Sequence, residues 1–126
     1  MPVPTILAFN LNADALNALG GVCASLALRL KPVPKEGFAM PLGGMVGLSV
    51  AGAENAVTQS FDDPMLVMCG LDEAALNAFL TALRYAPLPP IPLKAVLTPT
   101  NAAWNALTLH RELSREHAEM TRLHHR

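Results

Sequence analysis

All four histidines, His110, His117, His124 and His125, fall in the C-terminal stretch of the chain. Metal chemistry on a helix needs ligands at i and i+3 or i+4, which bring side chains over one spot. His110, His117 and His124 recur every seven residues instead. One such step is about 10 Å of helical rise, too far for a shared ion. No Glu-x-x-His pair of the bundle di-iron type accompanies them. The expectation is therefore no metal and no cofactor. The same spacing sets the histidine row beside the apolar stripe Leu109, Leu113, Met120 and Leu123. This predicts an interface of Leu109, Leu113, His117, Met120 and Leu123 with a second copy or an unknown protein partner. Such an edge would charge, and the contact weaken, near about pH 6. The stripe fits equally well a terminal helix lying on its own domain.

A second constellation surrounds "LKAVLTPTNAAWN" (residues 93–105). Polar groups at the carboxyl end of a strand, beside a helix N-terminus, can hold an anion or small ligand. Lys94, Thr98, Asn101 and Trp104 are the candidates. Helix-start chemistry explains the same letters: Thr98 as N-cap, Pro99 at N1, Asn101 reaching back at N3, and Trp104 folding over the core from the second turn. Asp62-Asp63 before Pro64 reads as a turn rather than an acid/base pair. No Gly-x-Ser-x-Gly and no Walker-type phosphate loop appears. A Ser-His-Asp set would have to draw its histidine from the terminal helix, a poor place for an oriented base. An enzyme is disfavoured and stands third, behind an interaction module and its alternative, a small-ligand or anion domain at Lys94–Asn101.

The elements that would position these residues follow from hydrophobic period. TILAF (5–9) and MLVMC (65–69) are short unbroken apolar runs, as expected of strands covered on both faces. Asn12 and Asp72 stand where helix N-caps belong. Behind them, Leu16, Leu19, Cys23, Leu26 and Leu30, and then Leu76, Phe79, Leu80 and Leu83, recur at helical spacing. Gly20-Gly21 weakens the first helix by about 1 kcal/mol per glycine relative to Ala, a cost tolerated where another backbone packs close. Prolines 87, 89, 90 and 92 end the later helix, and a strand over about 91–97 follows; Pro92, lacking an N–H, places it at a sheet edge.

Laying Leu11 on Leu71 superposes Leu16-Asn17-Ala18 on Leu76-Asn77-Ala78 and Asn12 on Asp72. The triplet "PVP" (32–34) then answers "PIP" (90–92), and Met40-Pro41 answers Thr98-Pro99. The fold expected is α/β: one small domain of two degenerate β-α-β-α halves with a parallel or mixed sheet of about four strands. The first half spans 1–48, the connector 49–63, and the second half with the C-terminal helix 64–126.

The bulk composition narrows function further. The 126 residues are 52% hydrophobic but only 5% aromatic, and formal net charge is −1. That balance argues against nucleic acid, whose phosphates demand a basic surplus. The most apolar stretch, 13–30, is broken by Asp14, Asn17 and Arg29, so no membrane span is expected. "MPVPTILAF" has no basic n-region. Cys23 and Cys69 form neither a Cys-x-x-Cys nor a disulfide framework, and read as buried small hydrophobes. The expectation is a cytoplasmic protein.

The run "LVMCGLDEAALNAFLTALR", followed by "PLKAVLTPTNAAWNALTLHRELSREH", resembles the family of the domain of unknown function DUF3783. The likeness lies in an opening strand and helix, a lysine-bearing strand, a threonine and an asparagine, a tryptophan-like position and a Glu-rich helix. It covers roughly residues 64–117. It implies element boundaries and no activity. The first half lacks the Lys, Thr, Asn and Trp at its corresponding places.

Overall fold

The computed structural model describes residues 4–35, 38, 41–46, 61–88, 91 and 93–124, with side chains described as far as Glu119. Strand β1 (Thr5–Phe9) leads into helix α1 (Ala13–Ser25), strand β2 (Arg29–Val33) and the single-turn helix α2 (Leu42–Met45). Strand β3 (Met65–Cys69), helix α3 (Glu73–Tyr85), strand β4 (Leu93–Val96) and helix α4 (Ala106–His124) complete the chain. The four strands form one mixed sheet in the order β2-β1-β3-β4. Each strand-helix-strand unit is internally parallel, β1 with β2 and β3 with β4, while β1 and β3 meet antiparallel at the centre. The protein is thus a small α/β domain.

The central strands are apolar on both faces because both faces are covered. β1 and β3 are buried at every position. Alternation sends Ile6, Ala8, Leu66 and Met68 to one side, where Leu19, Cys23, Phe79 and Ile91 complete a core under α1 and α3. Leu7, Phe9, Met65, Val67 and Cys69 face the other side, packed with Phe38, Leu42, Phe61, Ala106 and Leu109. That three-layer arrangement explains how so few aromatics suffice: Phe9, Phe38 and Phe61 converge on one face, with Phe38 stacked on Phe61 at 4.8 Å between centroids.

The two strand-to-helix corners are built alike. Asn10 (φ 63°) and Gly70 (φ 75°) are left-handed directly after β1 and β3, where an asparagine or glycine is tolerated. Asn12 Oδ1 then accepts from Ala15 N–H at 2.8 Å, and Asp72 Oδ1 from Ala75 N–H at 2.7 Å. Both caps stand where the sequence puts them, and each starts a 13-residue helix.

Several expectations change in detail. The α1 stripe stops at Leu26: Leu30 lies in β2, because the chain turns at Ala27 (φ 57°) with Leu28 N–H bonded to Cys23 O. β4 is shorter than 91–97, and Ile91 joins the α1/α3 core while Leu93, Ala95 and Leu97 face α4. As expected of a proline-led strand, β4 is an edge. β2, the other edge, carries Pro32 and exposed Lys31 and Arg29, groups that discourage further strand pairing. Of the second proline triplet, Pro90 and Pro92 lie outside the described residues; in the sheet Arg29 lies beside Thr5 and Leu93 beside Met65.

The double glycine of α1 has no close backbone against it. A Cβ at Gly20 would meet only Leu30 Cδ2, at 3.9 Å, and one at Gly21 would meet nothing within 4 Å. Gly21→Ala is therefore expected to stabilise the fold by about 1 kcal/mol, since only the helix penalty of glycine changes. A urea midpoint that falls instead of rising would contradict it.

Candidate functional site

The strand end after β4 assembles two of its four candidate residues into a closed turn. Asn101 Oδ1 accepts from Thr98 N–H at 2.8 Å, Thr98 Oγ1 accepts from Asn101 N–H at 3.1 Å, and Asn101 Nδ2 donates to Val96 O at 3.0 Å. Asn101 is buried. The pairing is the reciprocal capping expected from the letters, but it closes only a 3₁₀ turn, Asn101–Ala103. Trp104 is extended (ψ 150°) and half-buried over the α4-side core, where its carbonyl accepts from Leu42 N–H at 2.8 Å. A helix running on from Thr98 could not offer that carbonyl to α2. Helix α4 instead starts at Ala106 with a fresh cap, Asn105 Oδ1 accepting from Thr108 N–H at 2.9 Å. Lys94 alternates with Leu93 and Ala95 along β4, so it leaves the sheet on the side away from Trp104, and its ammonium donates to Ile91 O.

On α4, the expected interface residues divide. Leu109 is 2% exposed, inside its own domain's core, and Leu113 is half-buried against the same cluster. His117 is exposed; the side chains of Met120 and Leu123 lie outside the described residues. Arg115, Glu116, His117, Ala118 and Glu119 are exposed in unbroken succession. Five consecutive positions cover more than one turn, so the helix is exposed on every face there. Arg115 Nη2 pairs with Glu112 Oε2 at 2.7 Å, and the Glu112 carboxylate, aided by Glu119, holds the Arg115 pKa above its usual value.

A polar group not anticipated from the sequence collects at the opposite end of the sheet, where α4 leaves the body. His110 lies flat on the Phe61 ring, centroids 4.2 Å apart and planes 13° inclined, and its Nε2 meets Asp63 Oδ2 at 2.8 Å. Asn10 Nδ2 donates to Phe61 O at 2.8 Å and to Asp63 O at 3.1 Å. Beside it Lys35 Nζ pairs with Asp62 at 2.5 Å, and the bond with its lysine charge lowers the Asp62 pKa. The only local hint was Asn10, a left-handed-tolerant residue just after a strand; Asp63 is 47 positions from His110.

Ser114, His110 and Asp63 thus meet, yet not as a nucleophile relay. Ser114 Oγ approaches His110 Nε2 at 3.4 Å, the same nitrogen that Asp63 occupies. A relay needs the carboxylate on one ring nitrogen and the hydroxyl on the other. Among the described residues no group of three His, Cys, Asp or Glu could hold a metal ion, and no helix is long and apolar enough to cross a membrane. Cys23 and Cys69 are free and buried, as read. Desolvation pushes their thiols up to about 11 and about 12, which keeps both protonated and unreactive at neutral pH.

Neither the curated proteins nor the solved structures contain a match to this chain. The resemblance to a known family is borne out and runs slightly further than residue 117. Residues 64–120, from the turn entering β3 to the exposed turns of α4, match the model of the family described as domain of unknown function (DUF3783), so that this segment of the chain is similar to that family.

Proposed function

We propose that this protein is a non-catalytic interaction module of the cytoplasm, with the outer turns of α4 as its contact arm. The observation that carries the reading is the exposure of Arg115 through Glu119 on every side of a helix that continues to His124. From Arg115 onward the arm is about 15 Å long. A helix of that length is marginal in water by itself, so a contact that orders it supplies a reason for its presence. A second copy is the partner favoured by the heptad-like spacing of Leu113, Met120 and Leu123. The free, buried thiols are consistent with a reducing compartment.

The alternative, a small-ligand or anion site at Lys94, Thr98, Asn101 and Trp104, is weaker. Both ends of the Asn101 amide are already committed to backbone, and Lys94 leaves the opposite sheet face. We further read the two strand-helix-strand units as worn copies of one ancestral unit. The strand order is the same from either edge, Leu7 pairs with Val67, its counterpart at the 60-residue offset, and the caps and left-handed corners agree.

The test is a photo-crosslinking residue placed at Ala118 in the cell, with Asn77 on the exposed side of α3 as control. The reading expects adducts at 118 and none at 77, with an adduct of twice the chain mass if the partner is a second copy. Equal yields, or none at 118, would remove it.

A further inference from the structure

We propose that the peptide bond between Asp63 and Pro64 is a self-cleavage site, at which the Asp63 carboxylate attacks its own main-chain carbonyl and Asn10 holds the charge that forms there. The sequence supplies the reacting groups. An aspartate carboxylate reaches its own carbonyl carbon by closing a five-membered ring, and carboxylates are established covalent nucleophiles. The following residue is a proline, which has no N–H. The competing route, attack of the next backbone nitrogen on the carboxyl group, is therefore closed.

The structure adds what an unfolded chain lacks. Asn10 Nδ2 donates to the Asp63 carbonyl oxygen at 3.1 Å, the atom on which negative charge develops during the attack. That donor is fixed, because Asn10 is left-handed at the end of β1 (φ 63°) and its amide is tied to Phe61 O at 2.8 Å as well. On the other side His110 Nε2 meets Asp63 Oδ2 at 2.8 Å, which leaves Oδ1 to attack. The imidazole itself lies on Phe61, a buried ring stacked in turn on Phe38. Carboxylate and carbonyl are thus held from two separate elements, α4 and the end of β1, and that restriction lowers the entropic part of the barrier. The Asp63 side chain is 67% exposed, so water reaches the site.

The step balances as a hydrolysis. Oδ1 bonds to the carbonyl carbon, the bond from that carbon to the Pro64 nitrogen breaks, and its electron pair stays on the nitrogen, which takes a proton from solvent. The Asp63 end is then a cyclic anhydride, and one water opens it to two carboxylates. Overall the oxygen of that water ends on the new carboxylate and two protons end on the proline nitrogen. The products are residues 1–63 and 64–126. β1 and β3 pair along their whole length and are buried throughout, so the two pieces stay joined after the cut. The segment similar to the DUF3783 family also begins at residue 64, the new N-terminus. A single intramolecular cut is not turnover of a substrate, so it stands or falls apart from the reading of α4.

The test follows the intact mass of the purified full chain under denaturing conditions, during incubation at one mildly acidic pH with and without urea. The folded chain should yield the two fragments about 10- to 100-fold faster than the unfolded chain, the scale of one well-placed oxyanion donor. Asn10→Gly keeps the left-handed corner, as Gly70 does after β3, and removes the donor; it should bring the folded rate down to the unfolded one. Asp63→Asn should leave the chain intact over the same interval. A folded wild type that stays whole, or is cut no faster than in urea, overturns the proposal, and so does a folded Asn10→Gly chain cut at the wild-type rate. The comparison of folded with unfolded wild type decides the matter even where Asn10→Gly does not fold.

Discussion

Phe79→Ala is expected to lower stability by about 3–5 kcal/mol, the usual range for emptying a fully enclosed phenylalanine site. Phe79 is the one fully buried residue of α3 and is 0% exposed. Leu76, Leu80 and Leu83 flank it but are only half-buried, so they cannot close over the cavity without the helix tilting. The loss is a large share of the about 5–15 kcal/mol that holds a domain of this kind folded. α1 is fastened differently, through Ala15, Leu19 and Cys23 together, so no single truncation there should weigh as much. Urea denaturation checks the expectation: the midpoint falls sharply with Phe79→Ala, less with Phe79→Leu. Tyr85→Ala, at a position 82% exposed on the same helix, should stay within about 0.5 kcal/mol of wild type. A midpoint unmoved by Phe79→Ala would mean that α3 is not seated as described.

The parts of this fold legible in the sequence are those governed by neighbours a few positions away. The apolar runs of β1 and β3, the caps Asn12 and Asp72 and the proline stop after α3 all obey local rules, and all stand as read. Where two local solutions competed, tertiary contact chose. Both Thr98 and Asn105 can begin a helix, and both do so in part, but the burial of Trp104 and the bond from Leu42 place the break between them. The antiparallel meeting of β1 and β3 has no local signature either, since the connector is long enough to deliver β3 in either direction. The polar corner was least legible. Its chemistry arises from Asn10, Lys35, Asp62, Asp63 and His110, drawn from four separate segments, and each residue alone looks like surface or turn.

Asn101→Ala is expected to cost about 2–3 kcal/mol and to do so without any ligand present. The substitution strands two backbone groups, the Thr98 N–H and the Val96 carbonyl, whose bonds to Asn101 are part-buried, and each orphaned group carries a desolvation penalty. Asn101→Asp separates the two bonds. The introduced carboxyl still accepts from Thr98 N–H, but its second oxygen now faces the Val96 carbonyl, oxygen against oxygen. Burial and that carbonyl favour the protonated acid, so its pKa in the folded state lies above that in the unfolded chain. The sign follows: in this variant the compensating stability is present at low pH, when the acid donates to Val96, and is lost as the pH rises through the folded-state value. Thermal unfolding of Asn101→Asp across acidic and neutral pH should therefore show a loss with rising pH that Asn101→Ala does not share. Lys94→Ala, at a position that is exposed and bonded through its ammonium to Ile91, should change stability little. A residue kept for a ligand behaves the other way, giving up affinity while the fold barely notices. If Asn101→Ala unfolds no sooner than wild type, the internal bonding is not the reason for this asparagine, and the anion site at the end of β4 becomes the better account of these residues.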